Sequence, residues 1–347
     1  MKYLQLFVVL LCFTACKHHP MGESRMFVLE DFKSVELQES NATVYLNDDL
    51  LLGNPMQIKY HPDGYIILFD RKPEGLITVI DLQTNKINYY VNRGRGPLEL
   101  GNVKDLSIRN GDVWISSPND RKLLRLENIS EQRSFSIKQE GQIETGFLRA
   151  VPYGQNNILT LPLGRTSDRF YMLNNDRVVI DTLGVMPSVA NIDIQPTNGI
   201  YQSNLNISPD NKHIVTACVN FESIDIYNEY VELVCSLSGP YGLNSGVKKR
   251  SFGTGYQIVH EPMYFTFTNI VSSNDTFEIG FLGEKPQSDD EISDLGITRI
   301  LSFNWNGKPL KMYNLPEKIR AFDIDYINKK LYCITKDAEP QIMIYNL

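Results

Sequence analysis

Residues 57–91 read QIKYHPDGYIILFDRKPEGLITVIDLQTNKINYYV. Short runs rich in Ile, Val, Tyr and Phe are broken by turn residues, first of all His61-Pro62-Asp63-Gly64. Apolar residues do not recur at i, i+3, i+4 and i+7, so these runs read as strands and not as a helix. In the turn, Pro pre-sets one backbone dihedral and Gly tolerates positive φ.

The layout recurs. Turns at His61-Pro62-Asp63-Gly64, Arg109-Asn110-Gly111-Asp112, Gly154-Gln155-Asn156-Asn157, Ser208-Pro209-Asp210-Asn211, Ser272-Ser273-Asn274-Asp275 and Ile327-Asn328-Lys329-Lys330 each lie between apolar strands. They alternate with strand ends at VIDL (79–82), RLEN (125–128), MLNN (172–175), CSLS (235–238), SFNW (302–305) and IYNL (344–347). The units average about 54 residues and hold four strand candidates each. This predicts an all-β chain: a six-bladed β-propeller of four-stranded antiparallel blades. The blades begin near Gly53, Gly101, Gly146, Gly199, Pro262 and Lys318. The last has three strands of its own, so an N-terminal strand is expected to close the ring. The segment Phe27–Glu39, with FKSVELQE, is the candidate. A pair of β-sandwiches is the alternative.

The chain has 347 residues, 42% hydrophobic and 22% charged, which excludes a disordered or fibrous protein. A net charge of −7 gives no general attraction to nucleic acid. Cys218 and Cys333 sit in apolar strand patterns and read as small buried hydrophobes. With Cys235 they make an odd number that cannot all pair, and no metal-ligand spacing is found. No cofactor motif is found either, because Gly253-Thr254-Gly255 has no βαβ context.

Met1 and Lys2 precede an apolar run to Phe13, too short to span a bilayer. This is the layout of a secretory leader. Phe13-Thr14-Ala15-Cys16 resembles the bacterial lipoprotein box, which implies cleavage after residue 15 and lipidation of Cys16. Residues 1–15 are then the signal peptide, 16–25 the lipidated Cys and tether, and 26–347 one propeller domain. The resemblance implies a membrane partner through the anchor and a place in the cell envelope, at the outer membrane. No acidic residue follows Cys16 directly, which by the same resemblance implies the periplasmic side and not the surface.

From Asp81 on, the run DLQTNKINYYVNRGRGPLELGNVKDLSI is similar to a motif of the six-bladed propeller lipoproteins of Bacteroidetes, a TolB-like or NHL-like group. Arg93-Gly94-Arg95-Gly96-Pro97 and Glu99 carry the likeness; Leu98 and Leu100 depart from it. The resemblance implies fold and compartment more than an activity. Asp181-Thr182-Leu183 also resembles a short Bacteroides O-glycosylation motif.

Strand direction alternates within a blade, so loops after second and fourth strands share one face. Arg71, Arg93, Arg95, Arg121, Arg165 and Arg169 are placed there, from blades one to three. Blades five and six give the same face Glu284, Asp289, Asp290, Glu291, Asp294, Asp337 and Glu339. Guanidinium forks bind carboxylate, sulfate or phosphate. The expected role is therefore a binding or scaffolding module for an anionic glycan or an acidic protein partner. The bland reading is a solvated rim of internal ion pairs, with Glu99 paired to Arg93 or Arg95.

A glycan hydrolase or lyase with carboxylates at the channel mouth is the alternative, and it needs two convergent carboxylates. Asp323 and Asp325 alternate on an inner strand and are expected to line the channel. No GxSxG elbow is present. His260-Glu261 are adjacent, so their side chains point apart.

Overall fold

Six consecutive buried residues, Tyr65–Asp70, form a strand covered on both faces. The computed structural model describes residues 22–45, 50–164, 166–186, 197–253, 255–284, 291 and 294–347. The chain begins with β1 (Glu23–Met26), β2 (Lys33–Glu36) and β3 (Ala42–Val44). Blade one is β4 (Pro55–His61), β5 (Tyr65–Asp70), β6 (Ile77–Asp81) and β7 (Ile87–Tyr90). Blade two is β8 (Asp105–Arg109), β9 (Asp112–Ser117), β10 (Lys122–Ile129) and β11 (Ser134–Gln142). Blade three is β12 (Phe147–Tyr153), β13 (Asn157–Pro162), β14 (Asp168–Leu173) and β15 (Val179–Val185). Blade four is β16 (Ser203–Ile207), β17 (His213–Cys218), β18 (Ser223–Asn228) and β19 (Leu233–Ser238).

A hairpin of β20 (Val247–Phe252) and β21 (Gly255–His260) follows. Blade five is β22 (Phe265–Ser272), β23 (Thr276–Glu284), β24 (Ile297–Asn304) and the first part of β25 (Pro309–Asp325). The second part of β25, from Ile319, pairs with β26 (Lys330–Thr335) and is the inner strand of blade six, which continues to β27 (Ile342–Asn346). One long strand thus leaves blade five and enters blade six.

The core explains the sequence pattern. Along β5, Ile66 and Leu68 pack on blade six with Ala321 and Ile334. The alternate residues Tyr65, Ile67 and Phe69 pack on blade two with Val113 and Ile115. Successive side chains point to opposite faces, so a strand between two neighbours must be apolar throughout. Corresponding clusters lie between blades two and three, three and four, four and five, and five and six. The six interfaces close a ring.

The inner turns follow their residues. Asn110 and Gly111 both have positive φ, 53° and 80°, the geometry of a two-residue type I′ hairpin. Gly64 at 84° closes the first inner turn.

Polar side chains on the inner strands stitch each blade to the next. Gln57 donates to the Lys104 carbonyl and accepts from Leu106 N (2.9 Å). Arg149 spans from Asp105 (2.9 Å) to the Ser203 carbonyl (3.2 Å). Asn204 and Asn206 donate to the Phe267 and Ile270 carbonyls. The Asn269 amide makes two bonds to the Phe322 backbone, at 3.0 and 3.3 Å. Asp323 accepts from Tyr60 N at 2.8 Å and completes the belt.

The closing strand is β3, not Phe27–Glu39. It pairs antiparallel with β27 through Ala42–Val44. The expected segment has other partners: β2 runs parallel to β25 on the outer edge of blade five, and β1 runs parallel to β19 on blade four. The N-terminal segment is a strap crossing three blade edges. Phe27 and Phe32 anchor it, edge-on to Phe303 at 5.2 and 5.1 Å. Glu23–Arg25, expected in the tether, therefore lie on blade four. The strand end CSLS also falls elsewhere: it is on the fourth strand of its blade, and the counterpart of VIDL is Asp225-Ile226-Tyr227-Asn228 on β18. Both stretches alternate and end at a turn, so spacing alone did not separate them. Cys218, Cys235 and Cys333 are buried free thiols. Thr182 is exposed on β15, the outer strand of blade three.

Candidate functional site

The loop face is the end at which the inner strands begin. One of its loops is Asn92–Leu100. Leu100 N bonds the Asn92 carbonyl and Gly94 N the Leu100 carbonyl, both at 3.1 Å. The Glu99 carboxylate accepts from Gly96 N at 2.8 Å instead of pairing with Arg93 or Arg95. A Cβ on Gly94 would lie 2.0 Å from that carboxylate, so a larger residue there would displace the Glu99 side chain from its bond to Gly96 N. Lys122 pins the loop from blade two, donating to the Gly96 and Glu99 carbonyls at 2.5 and 3.0 Å. With the backbone so occupied, Arg93 and Arg95 are turned out and exposed. Neither has an ion-pair partner among the described residues.

Arg121 is exposed beside them and donates to the Glu144 carbonyl at 3.0 Å. Arg71 lies over Phe69, 5.9 Å from the ring centroid, and borders the central channel. Arg169 does not belong to this group. It is fully buried between blades three and four, where it bonds Asn198 (2.7 Å), Ser203 (2.8 Å) and Thr216 (3.0 Å). Its sequence position, four residues after Arg165, suggested a loop, but β14 begins at Asp168 and turns it inward. Arg165, Asp289, Asp290 and Cys16 lie outside the described residues. Asp294 is exposed and paired with Lys318 at 2.7 Å.

The hairpin β20–β21 is not legible in the sequence, because VKKRSF lacks the apolar alternation of a core strand. It follows the fourth strand of blade four and so rises on the loop face. Val247 and Ile258 seat it on Tyr201 and Phe221. Lys248 and Arg250 share one carboxylate, Glu261, at 3.7 and 3.5 Å. His260 instead packs edge-on to Phe221 at 5.8 Å, with burial lowering its pKa. The two adjacent residues do point apart.

The central channel has a volume of about 930 Å³. Asp323 and Asp325 both border it. Asp323 is paired with Lys59 at 3.6 Å, and burial raises its pKa. Asp325 caps the turn of blade six, accepting from Ile327 N and Asn328 N at 3.1 and 3.0 Å. The third bordering carboxylate, Asp105, is held by Arg149. All three carboxylates are thus tied to structural partners, and none forms a free convergent pair.

Against them stand six cationic side chains: Lys59, Arg71, Lys104, Arg109, Arg149 and Arg320. Only Lys59 and Arg149 have a carboxylate partner among the described residues. Arg109 reaches past blade three to the Ile207 and Ser208 carbonyls at the far end of the channel. Burial brings its pKa down to about 10. Lys104 is brought down to about 8, first by the neighbouring charge of Arg149 and then by burial.

A closed ring of four-stranded sheets around a central channel defines a β-propeller. The chain belongs to the TolB-like six-blade propeller-like family, whose sequence model matches residues 31–326. Its fold is similar to that of a putative exported protein from Bacteroides fragilis, with a TM-score of 0.53 and 10% identity over 90% of this chain and 98% of the other. The WD40 repeats of RRP9 give a TM-score of 0.50 at 11% identity, again over 90% and 98%. Among curated protein sequences, none matches the chain.

Proposed function

We propose that this propeller is a lipid-anchored binding module of the cell envelope, tethered through Cys16 and facing the periplasm, whose loop face captures an acidic glycan. The observation that carries the reading is the outward display of Arg71, Arg93, Arg95 and Arg121 around a rigid loop in a protein of net charge −7. Exposed guanidinium groups without carboxylate partners are available for bidentate contacts to an anion. The leader and its likeness to Bacteroidetes propeller lipoproteins support the compartment. The hydrolase reading gains no comparable support, since the three channel carboxylates all have structural partners.

The test is binding of polygalacturonate to wild type and to the Arg93→Ala/Arg95→Ala variant. Expected is a tenfold or greater loss of affinity in the variant, about 1.4 kcal/mol, with wild-type affinity falling as salt rises. Equal and negligible binding in both would sink the glycan reading, and capture of an acidic peptide alone would redirect it to a protein partner. In cells, Cys16→Ser should move the protein from the membrane to the soluble fraction; retention on the membrane would refute the anchor.

A further inference from the structure

The channel is a second cationic site, which shares Arg71 with the outer rim but is otherwise built from different residues. Lys104 stands just before the inner strand of blade two, at the loop-face end of the channel. Its ammonium group makes no hydrogen bond and no ion pair within 4 Å among the described residues, although it feels the charge of Asp105. The nearest carboxylate in sequence, Asp105, is engaged by Arg149, whose guanidinium also reaches the Lys104 carbonyl at 3.4 Å. Arg320 enters the same end from blade six, held by Asn54 and the Pro55 carbonyl. Arg71 completes this end from blade one. Like charges held together in a recess with few counter-charges raise the local potential and concentrate anions. A volume of about 930 Å³ is in the range of small-molecule pockets.

We propose that the loop-face end of the channel binds the anionic group of a small molecule, a carboxylate or a phosphate, with the Lys104 ammonium as its direct partner and Arg149, Arg320 and Arg71 supplying the surrounding field. Arg149 is a positioning residue here, because its own donors are spent on Asp105, Asn204 and the Ser203 carbonyl. The site does not depend on the outer rim, whose Arg93, Arg95 and Arg121 do not border the channel.

The experiment is calorimetric titration with inorganic phosphate and, separately, with glucuronate, alongside melting curves. Wild type should bind at least one of the two and melt higher in its presence, since a ligand that binds only the folded state stabilises it. The two arms tell a phosphate preference from a carboxylate preference. Lys104→Met should fold, lose at least tenfold in affinity, and show no anion-dependent shift in Tm. Lys104→Arg keeps the charge and should retain most of the binding. The Arg93→Ala/Arg95→Ala variant should bind the small anion as wild type does, which separates this site from the glycan-binding rim. The proposal is overturned if wild type binds neither anion at millimolar concentration, or if Lys104→Met binds as tightly as wild type.

Discussion

Asp81 and Arg133 show what one residue pair does for the ring. Asp81 ends β6 of blade one and accepts both the Nε and Nη2 hydrogens of Arg133, at 2.7 and 2.6 Å, from blade two. Those bonds, with two backbone N–H groups of the following turn, hold its carboxyl down at about 2. A depressed carboxylate stabilises the fold above its unfolded pKa, near 3.9, and loses that contribution as pH falls toward the folded value. Arg133→Met should therefore lower the denaturation midpoint at pH 7, and the gap to wild type should close as pH falls toward about 2. A constant difference across that range would show that Arg133 acts by packing on Tyr65, 5.0 Å away, and not by charge. His61 bridges the same two blades through hydrogen bonds. Its Nδ1 accepts from Asp63 N, which leaves Nε2 to donate to the Gly111 carbonyl at 2.8 Å. A histidine expected to be a polar turn residue is in fact a buried link between blades one and two.

At the scale of elements, the strap decides how three outer edges are treated. An unpaired sheet edge is a template for another chain. β1, β2 and β3 cover blades four, five and six, whereas β7, β11 and β15 remain the outer strands of blades one to three. On β15, Ile180 and Val185 are exposed beside Thr182. The strap is held by apolar burial more than by its short ladders. Phe27→Ala should cost about 3–5 kcal/mol, the usual loss for a buried Phe, and should speed proteolysis at residues 22–45 in limited digestion. A variant as stable as wild type would mean that the strap is a passenger. Four-strand periodicity made the need for a closing strand legible. Which N-terminal residues met it was not, because FKSVELQE and the shorter Ala42–Val44 both alternate, and only the docking of Phe27 and Phe32 between blades four and five sets the register.

For the whole molecule, closure means that no blade has a free face. Every inner strand is stitched to its neighbour, and the last link, Asp323 to Tyr60 N, joins residues 263 positions apart. Such a ring should lose its structure in one step. The two tryptophans test this, because Trp114 is in blade two and Trp305 follows β24 in blade five, on opposite sides of the ring. Single-tryptophan variants, Trp114→Phe and Trp305→Phe, should each report one unfolding transition coincident with loss of far-ultraviolet dichroism. Separate midpoints for the two halves would contradict a cooperative closed ring.

Sequence by itself determined the all-β class, the number of blades and nearly every blade start, because strand period and turn chemistry are local properties repeated six times. The exposed loop arginines were legible as well, since glycine and proline around them mark a loop. Tertiary structure alone decided which charges are free. Arg169 is spent between blades, Glu99 caps a backbone amide, and Lys104 borders the channel without a direct ion pair, although all three are ordinary charged residues in the sequence. The reason is physical: the state of a charge depends on what the rest of the ring brings within a few ångströms of it. Those neighbours come from other blades, tens to hundreds of residues away.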